Sequence, residues 1–152
     1  MAEPGDAGEI LTLQRAANVT EARLYHDPNM PALVQTYAEL VAELASSIVV
    51  TARSGHRMVG SGRARVDGPT LHIGRLVVAP DMQGKGIGTR LIDALERAAP
   101  PTVRRAALFT GHLSVANIRL YERLGFAETH REQITDAITL VHLDKPVDRQ
   151  PT

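Results

Sequence analysis

Residues 83–88 read Gln-Gly-Lys-Gly-Ile-Gly and open directly into an amphipathic run. Glycines at this density let a backbone adopt dihedrals that a side chain forbids and come close to a ligand. The first turn of a helix leaves amides without partners and carries partial positive charge, so a pyrophosphate placed there is held by backbone donors. Lys85 and Arg90 add screened charge. The stretch therefore reads as a phosphate cradle, set against the plainer alternative of a tight strand-to-helix turn. A Walker loop is excluded, because Lys85 is followed by Gly86 and Ile87 rather than by Ser or Thr. A dinucleotide fingerprint fits poorly, since the loop is G-x-G-x-G and lies past the middle of the chain.

A second cluster lies in residues 117–126, NIRLYERLGF. Asn117 and Tyr121 are four apart, hence on one helix face and able to meet the same ligand. Other chemistries are poorly provided for. The chain has no cysteine, which removes disulfides, thiolate nucleophiles and Cys-ligated zinc. Its six histidines are scattered without the i, i+4 spacing of a zinc helix, so no metal is expected. Seventeen basic and seventeen acidic residues cancel, which disfavours nucleic acid and anionic membranes as partners. With no Trp and only Phe109 and Phe126, stacking platforms for single strands are missing too. No stretch is long or apolar enough to span a bilayer, and the first residues, MAEPGDAGE, lack the basic and apolar segments of a signal peptide. A cytoplasmic location follows as the expectation.

The elements that must position these residues can be read along the chain. At 152 residues one domain is expected, burying roughly two thirds of its unfolded surface. Residues 1–8 read as a flexible leader, 9–145 as the single domain and 146–152 as a loose tail. Residues 9–15 alternate as a first, edge-type strand would. Residues 16–25 and roughly 31–45 carry helical spacing, broken by Asp27-Pro28 and Pro31. Residues 47–53 and 57–66 read as a hairpin turning at Gly55, with Gly60 and Gly62 marking a bulge or an irregular edge. The central strand, 71–78, feeds the loop. The helix after it, 87–98, buries Ile87, Leu91, Leu95 and Ala98 and stops at Pro100-Pro101. Strand 104–110 follows, parallel to 71–78 through a right-handed crossover. Ser114 is placed to cap a helix over 115–124 that ends at Gly125, and 126–133 with 137–144 form a last hairpin.

The order Gln-x-x-Gly-x-Gly after a strand ending Val77-Val78-Ala79-Pro80, together with NIRLYERLGF, resembles the GCN5-related N-acetyltransferases over nearly the whole chain. The resemblance implies an α/β fold: a mixed, mostly antiparallel sheet with strands 4 and 5 parallel and splayed around an acyl-CoA site, and four flanking helices. It implies acetyl-CoA as co-substrate. Gln83, Gly84, Lys85, Gly86, Ile87, Gly88 and Thr89 would hold the pyrophosphate, and the backbone of Leu76, Val77 and Val78 the pantetheine arm. Asn117 would bind the pantetheine or phosphate region. Tyr121 stands where the family commonly keeps a general acid for the departing thiolate.

The attacking amine must lose a proton. Counting back from Gln83 to the place of a family glutamate lands on His72, whose imidazole suits a base; His112, Glu21 and a bound water are the rivals. With no cysteine to carry an acetyl group, transfer is direct and sequential. A small-molecule amine is the expected acceptor, with a protein lysine or α-amine, or a non-catalytic acyl-CoA sensor, as alternatives; a homodimer is possible. Arg75, a charge in a central strand, either lines the cleft for an acidic substrate group or pairs with a carboxylate of the chain.

Overall fold

The computed structural model describes residues 2–147. Five α-helices and six strands follow one another as α1 (Ala7–Leu24), α2 (Pro31–Val34), α3 (Tyr37–Ala45), β1 (Ile48–Ser54), β2 (Arg57–Asp67), β3 (Thr70–Val78), α4 (Ile87–Ala98), β4 (Arg105–Gly111), α5 (Val115–Arg123), β5 (Ala127–Gln133) and β6 (Thr139–Pro146). One sheet in the order β1-β2-β3-β4-β6-β5 carries them, antiparallel at every junction except β3–β4. The mixed sheet with one parallel pair is the expected one. No helix among the described residues is long and apolar enough to cross a membrane.

The beginning of the chain differs from the sequence reading. Residues 9–15 are the first half of α1, not an edge strand. Their alternation of Ile10, Thr12 and Gln14 with Leu11, Leu13 and Arg15 also satisfies a helix, and burial decides: Ala7, Ile10, Leu11, Leu13 and Gln14 are buried while Gly8, Glu9, Thr12 and Arg15 are exposed. The parallel pair, fourth and fifth by the sequence count, is therefore β3 and β4. The expected leader is held as well: the Ala2 amide donates to Val49 O, and Asp6 pairs with Arg53 at 2.8 Å. At the other end β6 runs through Pro146, and Val147, buried, donates its amide to Arg104 O; residues 148–152 of the expected tail lie outside the described residues.

The second expected helix is two. Gln35 is extended at ψ 130, and Thr36 starts α3 with a reciprocal cap in which its hydroxyl accepts from the Glu39 amide and the Glu39 carboxylate from the Thr36 amide.

Gly60 and Gly62 serve close packing. A Cβ on Gly60 would stand 2.8 Å from Ile87 Cγ2 and 3.0 Å from Leu91 Cδ1; one on Gly62 would stand 3.0 Å from Leu76 and 3.3 Å from Leu95. The missing side chains let α4 sit down on β2, which fixes the loop that precedes it. The residues between and beyond, Ser61 and Arg63, face the opposite side of the sheet, where Arg63 reaches Gln14 of α1 and Glu43 of α3.

Candidate functional site

β3 and β4 pair only from Thr70–His72 to Arg105–Ala107. Beyond His72 they part. The cause is in β3: its register on β2 slips between Gly74 and Val77, opposite Arg63 and Ser61, and Arg75 takes a left-handed φ of +50°. Gly74 directly precedes the residue that makes this bulge. Val77 and Val78 keep β2 on one edge, so the other edge of residues 76–78 offers its backbone groups to the gap.

The gap leads to the glycine loop. A 3-10 turn over Pro80–Met82 hands the chain to Gln83, and Gly84 and Gly86 are left-handed at φ +80° and +79°. Gly86 is the N-cap of α4 and supplies no side chain, so the first-turn amides of Ile87, Gly88 and Thr89 have no cap; the first helical bond runs from Arg90 N to Gly86 O. Gln83, Gly84, Lys85, Gly86, Thr89 and Arg90 are exposed, while Ile87 and Gly88 are buried beneath them. Among the described residues, Lys85 Nζ has Met82 Sδ, at 3.9 Å, as its hydrogen-bond partner. Free amides, two exposed cations and a helix N-terminus thus share one mouth, an arrangement made for an anion.

Across the gap stands α5. Tyr121 is 7% exposed, its ring edge-on to Phe126 at 6.1 Å. Its hydroxyl has no hydrogen-bond partner among the described residues, and burial first, with the charge of Glu21 second, pushes the phenol up to about 12. Asn117, one turn earlier, is half-buried with its amide unengaged by the described residues. Among the proposed bases, His72 is exposed at the vertex of the splay, on the sheet face opposite α4, with no polar partner among the described residues. His112 is otherwise occupied: its Nδ1 lies 3.1 Å from both the carbonyl and the amide of Thr139. Glu21 accepts from Ser114 Oγ at 2.5 Å.

The contacts of three residues in this region escaped the sequence reading, which took Ser114 for a side-chain cap. Ser114 holds the N-cap position of α5, yet its hydroxyl makes no cap and turns to Glu21 and to Tyr25 Oη at 2.9 Å. Tyr25 Oη also accepts from the Leu113 amide and rests against Gly111, where a Cβ would overlap it. Arg63, 3% exposed, is the third. Beyond His72 on the same face, exposed Phe109 lies 5.5 Å from the His142 ring, which stacks on His130 at 4.2 Å. No group of three or more His, Asp or Glu among the described residues is arranged to hold a metal.

The model of the acetyltransferase (GNAT) domain matches residues 27–146, which takes in the splay, the loop and α5. The chain belongs to the GNAT acetyltransferase family. Solved members share the fold. The ribosomal-protein-S18-alanine N-acetyltransferase of Escherichia coli is 19% identical, with a TM-score of 0.77 over 99% of this chain and 93% of that one. A GNAT-family acetyltransferase of Streptococcus pneumoniae is 16% identical, with a TM-score of 0.75 over 96% of each chain. A GNAT-family acetyltransferase of Elizabethkingia anophelis, solved with acetyl-CoA bound, is 22% identical, with a TM-score of 0.62 over 71% of this chain and 82% of that one. No curated protein matches the sequence. As a GNAT acetyltransferase the chain is an acyl-CoA N-acyltransferase that uses acetyl-CoA as co-substrate. Its α1, with Glu21 and Tyr25, lies before the matched residues.

Proposed function

We propose that this GNAT domain moves the acetyl group of acetyl-CoA directly onto the primary amine of a small molecule. One observation carries the placement of the co-substrate: the gap between β3 and β4 runs into a loop whose two left-handed glycines and uncapped helix turn present free amides. Residues 83–89 then hold the pyrophosphate, and the free edge of Leu76, Val77 and Val78 pairs with the pantetheine arm as a strand would. Asn117 donates its amide from the same helix face as Tyr121. Acetyl-CoA supplies an acetyl group activated as a thioester.

His72 takes the proton of the incoming ammonium, which leaves the nitrogen lone pair free to attack. Its exposure and its place at the vertex favour it over His112, held by Thr139, and Glu21, held by Ser114. Tyr121 Oη, without another partner among the described residues, gives its proton to the sulfur as the carbon–sulfur bond breaks. A phenol pushed up to about 12 is a weak acid, but it is fully protonated at every working pH. The burial that raises it also destabilises a bare thiolate beside it, so the transfer is less uphill than the same pair in water.

Thermal melting of the chain with saturating acetyl-CoA, ATP or NAD tests the site. Acetyl-CoA at a hundredfold excess over its Kd is expected to raise Tm by roughly 5 to 11 °C, corresponding to about 2.7 kcal/mol. A shift with ATP or NAD and none with acetyl-CoA would overturn the assignment of the loop.

A further inference from the structure

Two buried polar groups of β2 have no partner among the described residues: Arg63 Nη2 and Ser61 Oγ. They stand on the face opposite α4, Ser61 in register with Val77 and Arg63 with Gly74, so they flank the bulge that parts β3 from β4. Arg63 uses the rest of its fork on protein, Nε donating to Glu43 Oε1 and Nη1 to Gln14 Oε1, both at 3.2 Å. Gln14 and Glu43 are themselves tied to Gln35, at 3.0 and 2.6 Å. The guanidinium is held rigidly, with one NH2 left over. Burying such a donor unpaired is costly, and natural cores rarely leave one without a reason.

The second arginine is Arg75. It is held at positive φ, a strained conformation for a residue with a Cβ, and such strain concentrates at ligand clamps. Its side chain makes no hydrogen bond or ion pair among the described residues, although its charge reaches both Glu43 and Arg63. Two arginines against one glutamate leave the cluster with one uncompensated positive charge. Space is open beside it, for a Cβ on Gly74 would meet nothing within 4 Å.

We infer that Arg63 and Arg75, with Ser61 beside them, form a carboxylate subsite, so that the acetyl acceptor is an α-amino acid rather than a neutral or polycationic amine. The inference rests on the acetyltransfer site proposed above. The planar fork of a guanidinium matches a carboxylate in a way a point charge does not. Spacing agrees as well. His72 and Gly74 share a face of β3 roughly 7 Å apart. An α-amino acid spans that distance, with its ammonium hydrogen-bonded to His72 and its carboxylate beside Gly74, each contact being about 3 Å. The surplus positive charge repels polyamines and lysine-rich peptides.

The test measures thiol release from acetyl-CoA by the full chain, with the proteinogenic amino acids set beside their α-carboxamides. The best acid is expected to exceed its amide in kcat/KM by roughly 10- to 100-fold, mostly through KM, the range of a hydrogen-bonded charge pair. Arg75→Gln should narrow that ratio to near unity. Arg63→Lys, which keeps the buried charge but loses the fork, should narrow it in part, and both variants should keep the thermal shift with acetyl-CoA. Acids and amides turned over equally, or a ratio that Arg75→Gln leaves alone, overturn the inference. So do amino acids that are neither turned over nor bound by the coenzyme A complex when acetyl-CoA still gives its shift. A missing acetyl-CoA shift is the separate signature of a wrong site, and the subsite falls with it.

Discussion

On its α4 wall the cleft is made of backbone, and on its α1 and α5 wall it is made of side chains. The loop side offers amides at Ile87, Gly88 and Thr89 and left-handed glycines at 84 and 86, all within a few residues of one another. The other side brings Glu21 to Ser114 and Tyr25 to Leu113 across most of the chain, and Arg63 to Gln14 across two layers. A backbone site tolerates changes of side chain as long as its dihedrals survive. A side-chain site fails when one atom is removed.

The largest effect is therefore expected at Tyr121. Tyr121→Phe removes the hydroxyl proposed above to protonate the leaving sulfur, and kcat should fall by roughly 10²- to 10⁴-fold, the range for a lost general acid. Acetyl-CoA binding, made mostly by the opposite wall, should persist in calorimetry. Loss of binding together with rate would show that the two walls are not separable.

The same contrast explains what could be read in advance. The backbone of the loop, α4 and the shared helix face of Asn117 and Tyr121 were legible because their signals are local: glycine spacing, an i, i+4 pair, proline stops. The irregularity expected at Gly60 and Gly62 is present as a register shift beside each, but their second role in admitting α4 was not legible, since a glycine that admits a helix looks in sequence like one that weakens a strand. The strand expected over 9–15 failed because seven residues whose apolar members are Ile10, Leu11 and Leu13 fit two periods, and only the neighbours of Ile10 and Gln14 decide between them. Ser114 was recognised as a helix start, but nothing nearby in sequence says that its hydroxyl belongs to Glu21, 93 residues away. Arg63 carried no signal at all, because the bulge that exposes its worth lies on the neighbouring strand.

Gly111→Ala tests how firmly the side-chain wall is fastened. The added methyl overlaps Tyr25 Oη, which cannot withdraw without releasing the Leu113 amide and Ser114. A loss of about 2 to 4 kcal/mol is expected, from overpacking and broken hydrogen bonds. In a Tyr25→Ala background the same substitution should cost almost nothing further, and a denaturant-based double-mutant cycle measures the difference.

A smaller effect, legible in pH, isolates the environment of Tyr121. The unfolded chain loses that proton near pH 10, whereas the folded chain keeps it until about 12. Between those values the folded state binds more protons, so stability present in full below pH 10 is lost as pH rises through the window, by up to roughly 2 to 3 kcal/mol. Tyr121→Phe should lack this loss relative to the wild type. Glu21→Gln should reduce it only slightly, because burial is the larger cause and the Glu21 charge the lesser. An equal loss in Tyr121→Phe would mean that other groups govern the alkaline limb.

The smallest effect belongs to Lys85, the most conspicuous cation of the loop. Its ammonium is exposed and among the described residues touches only Met82 Sδ, so a phosphate at the proposed site would meet it through water-screened attraction and not through a fixed contact. Lys85→Ala is expected to weaken acetyl-CoA by about two- to fivefold at low salt and hardly at all in high salt. Gly86→Ala, which adds one methyl at φ +79° and no charge, should weaken it more, by about 1 to 2 kcal/mol, and equally at both salt concentrations. The salt dependence separates the two causes. If Lys85→Ala proved the more damaging and kept its effect in high salt, the pyrophosphate would be held by a side chain after all, and the difference between the two walls would shrink to one of sequence distance.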